Sequence, residues 1–332
     1  MRILRRTLFR TGAVLAVLAV ALGGCGGGGG GGLGGSPSAA GPLADVDLSD
    51  ASFKVGSKAF TEQLILGQIA IQALQATGAS TEDRTGQAGS DATRLSLENG
   101  EMDMYWEYTG TNWIEHLGRT DPVYPAEKQY EAVKRAEREE NDIVLLARAP
   151  FNNTYAIAMR SEAPEEVPAL KGVTKISDIG RLIEENPDEA TICVESEFST
   201  TNDGLPGTEK HYGFEFPDDN IHLFDTGVVY DRTDAGDPCN FGEVFTTDGR
   251  IAALGLTLLE DDKNFYPIYN PAVNVRLDTY EEYGEQLDAV FTPVSEALDT
   301  ESMREMNTAV DVNGELPEDV AEQWLRDKGF IE

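Results

Sequence analysis

Residues 102–111 read MDMYWEYTGT, two tyrosines, a tryptophan and two acids packed into ten positions. Residues 101–105 read as a short strand, and the Tyr-Thr-Gly-Thr end reads as a turn. If that strand belongs to an alternating strand–helix series, its ring-bearing end lies where α/β folds bind ligands, outside the carboxyl ends of the strands. The rings could then serve a core or a pocket that holds a cation, and the surrounding sequence has to decide.

Upstream, residues 52–57 alternate polar and apolar, a strand pattern. LILGQIAIQALQATGA follows with apolar residues at helical spacing, and Thr61 is a candidate cap. A strand through DRTGQAG and a helix over 91–97 lead back to the quoted stretch. Downstream come an amphipathic helix over 126–140, a buried strand over 143–147 and a strand region over 151–159. A second alternation then begins, with a helix over 176–185, a strand over 190–194 and a turn at 203–207. It continues with a helix over 208–212, a strand over 222–224 and a helix over 227–233. Strands at 256–259 and 273–277 precede helices around 279–298, 300–310 and 316–328, with start signals at Thr300 and Pro317. Two such series predict two α/β lobes built on parallel sheets.

The ends and the composition narrow the class. Residues 1–10 carry Arg2, Arg5, Arg6 and Arg10 and no acid, and residues 11–22 are apolar over about a dozen positions, the plan of a signal peptide. Leu22-Gly-Gly-Cys25 resembles the lipobox of bacterial lipoproteins, which makes Cys25 the expected lipidation site after removal of 1–24. Arg5 and Arg6 leave twin-arginine and general export both open. The span 25–50, nearly all glycine to residue 35 and then rich in Ser, Pro and Ala, reads as a flexible tether. The product expected is a monomer anchored at the extracytoplasmic face of the cell membrane. The whole chain carries 26 Lys and Arg against 59 Asp and Glu, a net charge of −33. Losing four arginines with the signal makes it more acidic still, which argues against nucleic acid as a partner. Of the three cysteines, Cys193 and Cys239 remain for the globule, and export favours their disulfide.

No nucleotide-binding glycine loop, zinc-ligand cluster, nucleophile elbow or histidine motif is present, so neither cofactor nor metal is expected, and catalysis is not. A quaternary ammonium ion makes no strong hydrogen bond and is best held by aromatic faces. Tyr108, Tyr155 and Tyr230 each sit where a strand gives way to a turn or helix. Read alone, they fit packing tyrosines as well as they fit a cage.

Seven motifs settle the comparison. SKAFTEQLILGQ (57–68), YWEYTGT (105–111), APFNNTYAIAM (149–159), DGLPGTEKHYGF (203–214), DTGVVYDR (225–232), FTTDGRIAALGL (245–256) and LEDDKNFYPIYNPA (259–272) occur in this order. Together they resemble the osmoprotectant-binding (glycine betaine/choline) substrate-binding lipoproteins of ABC importers, from residue 52 to the end. The resemblance implies a two-lobed periplasmic-binding-protein fold of type II, with a double crossover and the ligand in the interlobe cleft. It puts lobe one at 52–148 plus 251–332 and lobe two at 149–250. It also implies that a small quaternary-ammonium solute is delivered to an ABC permease with a cytoplasmic ATPase.

Carried over by motif, the cage tyrosines match Tyr108, Tyr155 and Tyr230, and contacts to a ligand carboxylate match Lys58 and Thr111. Trp106 reads as packing behind the site. Two positions depart from the family pattern: Leu254 stands where a fourth cage tyrosine is common, and Thr201 where an arginine clamps the ligand carboxylate. They leave open a receptor for a different small zwitterion, and a sensing lipoprotein not coupled to uptake remains a further reading.

Overall fold

A computed structural model describes residues 37–120 and 123–332. The expected signal segment, Cys25 and the glycine run of 26–35 lie outside the described residues.

The quoted stretch is the middle of a sheet. β1 (Ser52–Lys58) pairs in parallel with β2 (Ser80–Gln87) and with β3 (Met104–Tyr108). Parallel neighbours need a crossover, and α1 (Thr61–Ala76) and α2 (Gly89–Glu98) follow β1 and β2 in that role. After α3 (Ala126–Glu140) the chain adds β4 (Ile143–Arg148) at the sheet edge. Much later β10 (Pro271–Arg276) enters antiparallel between β3 and β4, giving the order β2-β1-β3-β10-β4.

β3 begins three residues later than the sequence pattern suggests and takes in Trp106 and Tyr108, the second of which was read as the start of a turn. All five of its residues are buried. Helices cover both faces of the sheet, so the polar–apolar alternation that marks a half-exposed strand is lost. Trp106 points into the main core and meets Phe291 edge-on at 6.1 Å. Tyr105 faces the other side, with Tyr130 and Leu145. Tyr108 closes the strand.

The second sheet is built from β5 (Tyr155–Arg160), β6 (Ile192–Val194), β7 (Ile221–Leu223), β8 (Phe241–Phe245) and β9 (Leu256–Leu258), in the order β7-β6-β8-β5-β9. α4 (Ser177–Glu185), α5 (Leu205–Tyr212) and α6 (Thr226–Ala235) lie between its strands in the chain. β6 is parallel to β7 and β8, whereas β5 is antiparallel to β8 and β9. Each sheet is therefore mixed, not purely parallel. The reversed strands are β5 and β10, the first strand laid down after each passage between lobes.

Two expected boundaries need correction. β9 lies beyond residue 250 but pairs with β5, Leu258 opposite Ala158, and Leu259 and Tyr266 join the second core. The backbone groups of β9 are satisfied in the second sheet, so the return to lobe one falls between Leu259 and Pro271. Nor is the whole of 25–50 a tether. Leu43 and Leu48 are fully buried in the core of lobe one, Ala39 bridges Ile331, and the Ala40 amide donates to the Phe330 carbonyl at 2.8 Å.

α7 (Leu277–Ala297), α8 (Thr300–Asp311) and α9 (Pro317–Asp327) complete lobe one, with α8 and α9 packed on α1. Thr61 does not cap α1; its hydroxyl donates to Asp311 on α8. Asp299, one residue before Thr300, caps α8 by accepting the Ser302 amide at 2.8 Å. In lobe two, Cys193 on β6 and Cys239 just before β8 are joined as a disulfide, their Cα atoms 5.6 Å apart.

Candidate functional site

Where the ends of β1 and β3 face those of the second sheet, the chain encloses a cavity of about 340 Å³. That is at the small end of ligand sites, roughly 300–1,000 Å³. Lobe one supplies Lys58 and Tyr108 from strand ends and Thr111 from the helical turn after β3. Lobe two supplies Tyr155 from the start of β5, which lies opposite Phe245 at the end of β8 because the two strands are antiparallel. Four of the five residues singled out in the sequence thus meet around one space.

Tyr230 does not join them. It is fully buried with Ala156, Ala158, Val244 and Leu256, and its hydroxyl accepts the Phe245 amide at 2.8 Å. The cation over its ring is the protein's own: the Arg250 guanidinium lies 4.1 Å from the ring centre and pairs with Asp248 and Asp311. The cause is position along the helix. Tyr230 stands one turn beyond Thr226 and packs on the sheet, while the start of α6, Asp225 and Thr226, lines the cavity instead. Leu254 packs against the same cluster as Tyr230. Thr201 lines a neighbouring cavity of about 450 Å³, together with Asp91, Glu115, Glu195 and Glu197.

Three rings missed in the sequence complete the wall. Phe60 stacks on Phe245 at 5.3 Å and 11°, and on Tyr108 at 6.3 Å and 19°. Tyr155 lies 5.3 Å from Phe245 and meets Tyr269 edge-on at 5.7 Å. The series Tyr108, Phe60, Phe245, Tyr155, Tyr269 therefore runs from lobe one through lobe two to the returning segment. Phe60, Phe245 and Tyr269 all fall inside motifs already recognised, so their positions were readable there, although β8, which Phe245 ends, was a strand the sequence pattern did not reveal.

Buried carboxylates hold the walls in place. Glu62 accepts hydrogen bonds from Tyr108 Oη at 2.7 Å, Asn153 Nδ2 at 2.8 Å and Asn307 Nδ2 at 3.1 Å, and from the Thr247 hydroxyl. It links α1 to β3, to α8, to the segment before β5 and to the segment after β8. Burial with no cation pairing raises its pKa, against the pull of the four donors. Glu107 takes the Lys58 ammonium at 2.7 Å, His116 Nε2 at 3.2 Å and the Tyr105 hydroxyl at 3.0 Å. Burial pushes its pKa up, but the Lys58 charge and the His116 contact outweigh that and hold Glu107 at about 2.

The Lys58 ammonium also lies 5.3 Å from the centre of the Tyr108 ring. Around the rest of the cavity are Glu195, Glu197 and Asp225. Electron-rich ring faces and carboxylates suit a small cation that offers no strong hydrogen-bond donor.

The chain was compared with known proteins and structures. The model of the substrate-binding domain of ABC-type glycine betaine transport systems matches residues 51–327. Over 286 residues the chain is 34% identical to the glycine-betaine-binding protein of Pseudomonas aeruginosa, covering 85% of this chain and 89% of that one. Over 282 residues it is 33% identical to the glycine betaine-binding protein YehZ of Escherichia coli K12, covering 83% of this chain and 90% of that one. The solved structure of apo YehZ superposes with a TM-score of 0.61 at 32% identity, covering 84% of this chain and 99% of the other. With its two lobes, its double crossing and its interlobe cleft, this chain belongs to the family of substrate-binding domains of ABC-type glycine betaine transport systems.

Proposed function

We propose that the protein is the solute receptor of an ABC importer, held at the outer face of the membrane by a lipid on Cys25 and acting as a monomer. It captures a small quaternary-ammonium solute between its lobes and hands it to a permease driven by a cytoplasmic ATPase. The observation that carries this reading is the continuous series of five rings around a small, carboxylate-rich cavity. Tyr108 and Tyr155 are the cage rings carried over by motif, and Phe60, Phe245 and Tyr269 join them. Thr111 and Lys58 meet the polar end of the solute. Each ring face contributes about 0.5–2 kcal/mol to holding the cation, the upper part of that range applying once water is excluded.

The test is isothermal titration of the protein, unfolded and refolded to strip carried-over solute, against choline, glycine betaine, carnitine and proline. Micromolar binding of a quaternary ammonium compound, with none of proline, is the expected result. Heat of binding from proline alone would reject the cage.

A further inference from the structure

Lys58 is the only cationic side chain among the described residues that line the cavity. Its charge is already matched, because the ammonium contacts buried Glu107 at 2.7 Å. It also donates to Ser90 Oγ at 2.8 Å, and the Ser90 hydroxyl donates onward to Glu197 Oε1 at 2.7 Å. Ser90 is the second residue of α2. The residue before that helix, Ala88, gives it no side-chain cap, so the positive end of the helix is open to an anion. Glu197 occupies that end: its other oxygen lies 3.5 Å from where a Cβ on Gly89 would stand. Besides Thr111 and the start of α6 at Thr226, the lysine relay and the start of α2 are what this cavity offers to an anion, and a carboxylate from lobe two fills these last two.

To reach the Lys58 relay a ligand carboxylate would have to expel Glu197, and at Thr111 it would still share the cavity with Glu195, Glu197 and Asp225. A ligand with a cationic head and a neutral tail meets neither cost, and gains attraction from the acids.

We infer that Glu197 determines ligand choice: it fills the anion-receiving corner of the cleft, so that the site selects a net-cationic quaternary ammonium alcohol over a zwitterionic betaine. This rests on the receptor reading above. Choline and glycine betaine share one headgroup and differ in the tail, so their ratio of affinities reads the corner directly.

Titration of the full-length protein should show choline binding at least tenfold tighter than glycine betaine. Glu197→Gln keeps the size and an acceptor for Ser90 but removes the charge. It should weaken choline several-fold, tighten glycine betaine, and lower their ratio at least tenfold. Asp225→Asn removes the same charge elsewhere on the cavity wall and should move the ratio far less. Equal shifts in the two variants would overturn the assignment, since bulk charge would then explain the preference. Wild-type protein that binds both solutes equally, or prefers glycine betaine, would overturn it while leaving the receptor reading intact. No binding of either solute by any variant would overturn the receptor reading and this inference together.

Discussion

Glu62 and Tyr230 show how differently a buried polar group can be used. The four groups around Glu62 are all donors, which suits a carboxylate that only accepts. A glutamine there would turn its own N–H groups toward donors. Glu62→Gln should therefore cost about 2–3 kcal/mol in urea denaturation, from leaving buried donors unpaired. Tyr230 supports the β8 end through one hydrogen bond and does not line the cavity between the lobes. Tyr230→Phe should lower stability by about 1 kcal/mol and leave ligand affinity unchanged, whereas Tyr108→Ala should weaken a quaternary ammonium ligand by about 1–3 kcal/mol. Titration calorimetry on the pair separates the two roles.

Glu243, in the middle of β8, has its pKa pushed up to about 8 by burial and by Glu195. An acid whose folded pKa is raised holds its proton in the folded chain after the unfolded chain has released it. Its contribution is therefore full below about 4.5 and is lost as pH rises to about 8. Melting temperature should fall across that window, and less steeply in Glu243→Gln. Glu107 acts in the opposite sense and only on the acid side, losing its contribution as pH drops from the usual glutamate range toward about 2. At this scale Lys58, Tyr108, Thr111 and Tyr155 were legible through the motifs that carry them, and all four line one cavity at strand ends or just past them. Tyr230 lies outside the cavity wall because it sits one turn deeper along α6 than Thr226, packed on the sheet, and a motif does not show how far a helix start reaches into a cleft.

Among elements, the alternation of strands and helices was legible and strand direction was not. A period-two pattern is identical for parallel and antiparallel strands, and what reverses β5 and β10 is the passage between lobes that precedes each. β8 was invisible for a related reason: FGEVF places a glycine and a buried acid in a central strand, which breaks the apolar run expected there. Gly242 is needed because a Cβ at that position would stand 1.9 Å from the Thr233 hydroxyl of α6. The disulfide ties β6 to the start of β8 across a sequence separation of 46 residues. Closing a loop of that length is worth about 4 kcal/mol in the chain-entropy account. Cys193→Ala with Cys239→Ala should destabilise lobe two by up to that amount, measured as a lower melting temperature that reductant does not change further.

For the whole molecule, the charge of −33 is a burden shared by its surface and its cleft. Like charges repel in the compact state, and salt screens them, the Debye length falling from about 10 Å at 0.1 M to about 3 Å at 1 M. Raising sodium chloride over that range should raise the melting temperature, and a flat response would mean that the surface acids are already balanced locally. The lobes were legible as a pair, but their seam was not, because β9 belongs to a sheet that the chain is about to leave. That topology makes lobe two an insertion within lobe one, joined to it by two strands of backbone. The first and last described residues both belong to lobe one, where Ala39 lies beside Ile331. Tension applied through residue 37 would therefore enter the half that also holds residue 332, and the two backbone connections to the other half would carry none of it.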